Sequence, residues 1–156
     1  MLVYRISKKA YIQDLSGRGA ALYGGRWNPK GISLCYTSGT ISLAYLEFLV
    51  HNIHVLNTAS ICLAKIRISD SHISALQAED LPEGWNYKNN ISHDSQKVGK
   101  EFVLKNEFYA LKLPSVIVPG EYNYLLNPLH EDHSTASIEE IIDPLQFDSR
   151  LLDLVK

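Results

Sequence analysis

The chain has 156 residues, 46% apolar and 21% charged, with a formal net charge of -2 and a pI near 6.3. That length suits one domain with a sizeable core, and the balance is that of an ordinary globular protein. The absence of a basic field disfavours a general nucleic-acid binder. No apolar run is long enough to cross a bilayer, since Ile41 to Val50 is short and carries Ser42 and Glu47. The N-terminus MLVYRISKKAY lacks an apolar h-region, so no signal peptide is expected and a cytoplasmic location follows by default. Cys35 and Cys62 lie far apart with no metal-like spacing and read as reduced core thiols.

In chain order, Leu2–Ser7 alternates as a strand, with Leu2, Tyr4 and Ile6 on one face and Val3, Arg5 and Ser7 on the other. Arg5 is either a solvated edge charge or a phosphate contact. Gly17 to Gly25 holds four glycines but is not a dinucleotide fingerprint, and it reads as a loop leading into a hairpin. NPKG at Asn28–Gly31 has the composition of a tight turn. It should join a short strand through Arg26 and Trp27 to a strand over Ile32–Thr37 that ends near Tyr36.

Ser38 or Thr40 can cap the next helix, Ile41–His51. At 100° per residue, Leu43, Leu46 and Val50 share one arc, and Glu47 falls about 40° from Leu43. The helix's only carboxylate therefore faces its apolar side. A buried carboxylate is costly without a partner, so Glu47 must either pair structurally or face a cleft.

Ala59–Ile68 reads as a strand buried on one side, and Ser71–Gln77 as a helical turn. Leu81–Asn90 reads as a polar loop and Ser95–Leu104 as a helix. Leu113–Pro119 is a short apolar strand between prolines, interrupted by Ser115, whose commoner fate is to satisfy a backbone group. Asn123 and Asn127 look like loop-shaping residues of Gly120–Pro128. Ser137–Ile142 should be a final strand, and Phe147–Leu152 a closing strand or turn. His51 and His54, like His130 and His133, lack the companions that would make a zinc site specific, so no metal is expected. Short strands, a few helices and no βαβ rhythm point to an α+β fold with a compact mixed or antiparallel core and flanking helices.

Several of these segments resemble one known family. YRI near the start, GGRWNPKG, the tyrosine-bearing strand, SLAYLEFLVH, LPSVIVPGEYNYLLNP with His130, and FDSRLL look like the successive signatures of the RES domain. The resemblance covers nearly the whole chain, residues 1–156 as a single domain. It is weakest from Ser69 to Asn106, where mainly Trp85 and Ser95–Gln96 match. Residue by residue, it matches the family's name-giving arginine, glutamate and serine to Arg26, Glu47 and Ser115. Its tyrosine matches Tyr36, its strand arginine Arg5 and its asparagine Asn123.

The resemblance implies a fold similar to ADP-ribosyltransferase toxins of the diphtheria kind. It also implies the toxin of a type II toxin–antitoxin pair, with NAD as the consumed substrate. NAD would be cleaved by hydrolysis or phosphorolysis, or used to ADP-ribosylate a protein. Arg5 and Arg26 would hold the pyrophosphate, and Tyr36 would stack on nicotinamide. Glu47 would meet the ribose, and Ser115 and Asn123 would complete the site. The implied partner is an Xre-like antitoxin that blocks the active site, with a homodimer inside the complex. Any DNA binding would belong to that partner. Two other classes remain open on sequence: a non-catalytic nucleotide- or protein-binding module, and a glycosidase pairing Glu47 with Glu121.

Overall fold

The computed structural model describes residues 1–52, 54, 60–88, 91–148 and 150–151. Seven strands form one sheet: β1 (Leu2–Lys8), β2 (Cys35–Ser38), β3 (Ile61–Arg67), β4 (Ile73–Ala75), β5 (Ala110–Pro114), β6 (Tyr122–Leu126) and β7 (Ser137–Ile142). Their order is β4-β5-β6-β2-β1-β3-β7, antiparallel throughout except for the β4–β5 pair. The α-helices α1 (Arg18–Tyr23), α2 (Ile41–Asn52) and α3 (His93–Lys105) accompany them. The fold is therefore the expected α+β arrangement, a mostly antiparallel sheet with flanking helices. Among the described residues, no helix is long and apolar enough to cross a membrane.

The two faces of the sheet have different coverings. On one, Val3, Cys35, Cys62, Ala64, Ile66 and Leu126 build a core that also takes in Tyr109 and Tyr124. Both cysteines are buried and free, as expected. The other face is covered by two helices side by side. Phe48 of α2 packs over Ile61, Leu63 and the partly buried Tyr4 and Ile6, at the β1–β3 half. Phe102 and Val103 of α3 pack with Trp27, Leu111, Leu113 and Leu125 over the β5–β6 half. Between these helices lie the central strands β6 and β2, where Ser38 pairs with Asn123.

Several expectations are corrected. The glycine-rich segment contains a helix, α1, because Gly17 and Gly24 supply the positive φ at its two ends while Ala20, Ala21 and Leu22 between them favour helix despite Gly19. No strand runs through Arg26 and Trp27, so NPKG closes no hairpin. The turn bond runs from the Ile32 N–H to the Pro29 carbonyl, and the following strand starts only at Cys35. Tyr36 is thus the second residue of β2, not its end. β3 is buried on both faces because β1 and β7 flank it and both sheet faces are covered there.

Ser71–Gln77 holds strand β4, not a helical turn. With α3 and the parallel β5 it makes one βαβ crossover, a single unit in an otherwise antiparallel sheet. Pro114 ends β5, leaving Ser115 in the loop beyond, and the segment around Asn123 is strand β6. Of Phe147–Leu152, residues 149 and 152 lie outside the described set; Arg150 and Leu151 are helical, not strand or turn, and the Leu151 N–H bonds to the Asp148 carbonyl.

Candidate active site

Glu47 occupies the gap between the helices. The buried positions of α2 are Leu43, Ala44 and Phe48, and Glu47 falls inside that arc. Leu46 and Val50, expected on the same arc, are instead 41% and 61% exposed, because the helix turns the Ala44–Phe48 side to the sheet. The helix is started by Thr40, whose hydroxyl accepts the Leu43 N–H at 3.1 Å.

The two oxygens of Glu47 are treated differently. Oε1 accepts from Asn123 Nδ2 at 2.5 Å and from Ser115 Oγ at 3.2 Å. Asn123 is itself aimed by Ser38, whose hydroxyl donates to its Oδ1 at 2.8 Å. Ser115 Oγ accepts the N–H groups of Ile117 and Val118 at 3.0 and 3.1 Å, so its hydrogen is directed at the carboxylate. Among the described residues, Oε2 has only His51 Nε2 at 3.7 Å, beyond hydrogen-bond reach. One oxygen is therefore fixed by charge-assisted bonds and the other is free to accept a hydrogen bond from outside.

Arg26 stands in the segment after α1, held by its Nη1 bond to the Trp85 carbonyl at 2.7 Å. Burial pushes its guanidinium below its ordinary pKa, while the negative charge of Glu47 acts in the opposite direction. Tyr36 lies beneath this segment. Its hydroxyl donates to Asn28 Oδ1 at 2.7 Å and accepts the Trp27 N–H at 3.1 Å. Burial raises the Tyr36 phenol far above its ordinary value, so it stays neutral and is no base at physiological pH.

Asn28 is fully buried and central to this loop. Its two amide hydrogens are shared among the carbonyls of Ala20, Pro29 and Ile32. The loop thus exchanges the hydrogen bonds a hairpin would have supplied for side-chain bonds.

Arg5 is placed differently. It alternates with Tyr4 and pairs with Ala64, which puts it on the sheet face opposite Glu47. Its guanidinium donates to the Asp14 carbonyl. With Arg18, Leu34, Cys35 and Tyr36 it lines a cavity of about 110 Å³ that adjoins Tyr36 from the far side. Strands β1 and β2 share one pairing, Tyr4 with Ser38, so they splay apart towards this cavity. A wider groove of about 540 Å³ runs beside β7, but Glu139 and Glu140 line it and would repel an anion.

The structure thus brings Glu47, Ser115 and Asn123 into direct contact, places Tyr36 on the same strand as Ser38, holds Arg26 on the Trp85 carbonyl, and leaves Arg5 across the sheet. Sequence reading missed Ser38, Asn28, His51, Arg18 and Gln96. Ser38 was visible only as a helix-cap candidate, and nothing in the sequence signalled that it pairs with Asn123. Glu121, the second acid of the glycosidase reading, receives the Thr40 hydroxyl at 2.5 Å. Thr40 precedes Glu47 by seven residues, about 10 Å of helix rise. Among the described residues, no group of His, Cys, Asp or Glu is placed to hold a metal ion.

The RES domain model matches residues 2–148. The chain belongs to the RES domain family. It is 37% identical over 148 residues to Toxin Res of Yersinia enterocolitica, covering 94% of this chain and 95% of that one. Toxin Res of Photorhabdus laumondii is 35% identical over 158 residues and covers both chains fully. The Prs ADP-ribosylating toxin of a Sphingobium species is 35% identical over 126 residues, covering 76% of this chain and 75% of that one. By this full-length kinship the chain is a RES-domain toxin. Its fold is shared with the M. tuberculosis MbcT–MbcA toxin–antitoxin complex, at a TM-score of 0.75 and 18% identity. That match covers 99% of this chain and 87% of the matched one.

Proposed function

We infer that this RES toxin consumes NAD by cleaving the bond between nicotinamide and ribose, with Glu47 as its catalytic carboxylate. The observation that carries this reading is the asymmetry of Glu47, with Oε1 tied to Ser115 and Asn123 and Oε2 without a hydrogen-bond partner among the described residues. Cleavage leaves the bonding pair on nicotinamide, which departs neutral, and positive charge grows on the ribose carbon. A fixed carboxylate in a partly buried site stabilises that charge most where it develops. Glu47 Oε2 accepts the ribose 2′-hydroxyl. A nucleophile (water, phosphate or a protein side chain) then bonds to the ribose carbon and gives up its proton. The similarity to an ADP-ribosylating toxin supports NAD as the donor.

Arg26 binds the pyrophosphate, for which a guanidinium fork is suited. Arg5, with Arg18 near it, supplies positive potential from the cavity behind Tyr36. Tyr36, its hydroxyl anchored, offers its ring to the nicotinamide. Ser115 and Asn123 position Glu47 by donating hydrogen bonds to its Oε1, and neither is assigned a nucleophilic role. The partner we assign is an antitoxin that covers this site in a complex like that of the structural neighbour. Its Xre-like character and a homodimer within the complex are part of the same proposal.

Incubating the purified protein with NAD and measuring nicotinamide, with and without phosphate or a protein acceptor, tests the reading. Nicotinamide release requiring Glu47 supports it. Tight NAD binding with no release would favour a non-catalytic module.

A further inference from the structure

Arg26 sits in a stretch that has no ladder or helix to hold it, and a long charged side chain is only as well placed as its backbone. The inner side of this stretch is held by Tyr36 and Asn28. The Gly25 N–H also bonds to the Asn28 carbonyl at 2.9 Å, closing a small ring around Arg26 and Trp27. The outer side is held by α3. Gln96 Nε2 donates to the Gly25 carbonyl at 3.0 Å and to the Asn28 carbonyl at 3.3 Å. One side-chain amide thus grips the carbonyls on either side of the Arg26–Trp27 pair.

Three residues further along α3, Gly99 lets the helix press directly on the same stretch. A Cβ there would stand 1.9 Å from the Trp27 carbonyl oxygen. The Trp27 ring stacks on Trp85 at 6.2 Å, and Trp85 in turn receives the guanidinium. The Gln96 bonds, the Gly25–Asn28 bond and the Trp85 contact thus all end on the Gly25–Asn28 stretch or on Arg26 itself.

We propose that Gln96 is a positioning residue for ligand binding. It fixes the curvature of the Gly25–Asn28 backbone and so aims Arg26 beside Glu47, without touching the ligand itself. The proposal rests on the reading of Arg26 as the anion contact. Small misplacements of a binding group cost large factors, so the aim of Arg26 matters beyond its presence.

The test measures NAD affinity by calorimetry in the intact chain carrying Glu47→Gln, so that no turnover intrudes. Gln96→Glu keeps the shape but sets a carboxylate against two carbonyl oxygens. It should weaken NAD binding roughly tenfold, the factor expected when a hydrogen-bonded buried contact becomes repulsive. Arg26→Ala should weaken binding at least as much, and Gln96→Glu should then add nothing further in the Arg26→Ala background. If Gln96→Glu fails to fold, Gln96→Ala carries the test, with an expected loss of about threefold for the missing donor. A melting temperature that falls while NAD affinity holds would overturn the proposal, because Gln96 would then be merely structural. Additive losses in the double variant would also overturn it. Unchanged affinity in Arg26→Ala would overturn the reading of Arg26 itself. Loss in Arg26→Ala without loss in Gln96→Glu overturns the positioning role alone.

Discussion

At the scale of single residues, the arrangement around Glu47 makes the Asn123 amide the strongest of its restraints, at 2.5 Å against 3.2 Å for Ser115. Asn123→Asp places a second carboxylate against the first. Like charges so close disfavour ionisation of both. The acidic limb of the nicotinamide-release pH profile should therefore move upward. A profile identical to wild type would mean that Asn123 does not touch the working carboxylate. Ser115→Ala removes a weaker bond and should lower turnover severalfold, at a stability cost of about 1 kcal/mol. Turnover assays alongside urea unfolding check both effects. The polar demand of Glu47 could be read from sequence, because a lone charge on an apolar helix must find partners. Which partners it finds could not, since Ser38, Ser115 and Asn123 meet only through the pairing of β2 with β6 and the loop after β5. Arg5 illustrates the converse. Its alternation with Tyr4 already placed it on the other strand face, and the structure keeps it there.

At the scale of elements, α3 and the segment before β2 act as one unit. Gly99→Ala should destabilise the protein by about 2–3 kcal/mol, the cost of forcing a methyl into a packed contact, although alanine is the better helix former. A urea midpoint equal to or above wild type would show that the helix and the Trp27 backbone are not pressed together. The helices α2 and α3 were legible because they are long enough for their period to show. Strand β4 was not, because three residues give no alternation, and it is specified by its parallel register with β5. The absence of a hairpin after Gly25 was hidden for a different reason. NPKG does make a turn, but the side chains of Asn28 and Tyr36 take over the backbone bonds that a second strand would have made. Turn chemistry in a sequence shows where a chain bends and not what it bends towards.

At the scale of the molecule, the sheet separates the candidate site from a histidine-rich patch on its other face. There Tyr109 meets His133 at 3.3 Å, with His130 beside its ring and His72 bound to Asp132 at 2.7 Å. Burial lowers the pKa of His133, opposed by a backbone bond to Leu15. The unfolded chain takes up this proton near pH 6.5 while the folded chain resists it. The stabilising contribution is therefore complete above about pH 6.5 and is lost as pH falls towards the folded value, by at most about 1.4 kcal/mol per pH unit. His133→Gln should flatten the acid side of the stability profile measured by urea unfolding. The general architecture, an α+β chain with an antiparallel core, followed from short strands and isolated helices. The side-by-side placing of α2 and α3 on one sheet face, which creates the gap for Glu47, depends on long-range register and was not readable. NAD cleavage in this gap is proposed to run through Glu47. Its most direct test is nicotinamide release by the wild type and by Glu47→Gln at equal, verified foldedness. A loss of about a hundredfold or more is expected, typical of removing a preorganised charge from the reacting centre. Release at the wild-type rate by Glu47→Gln would contradict it.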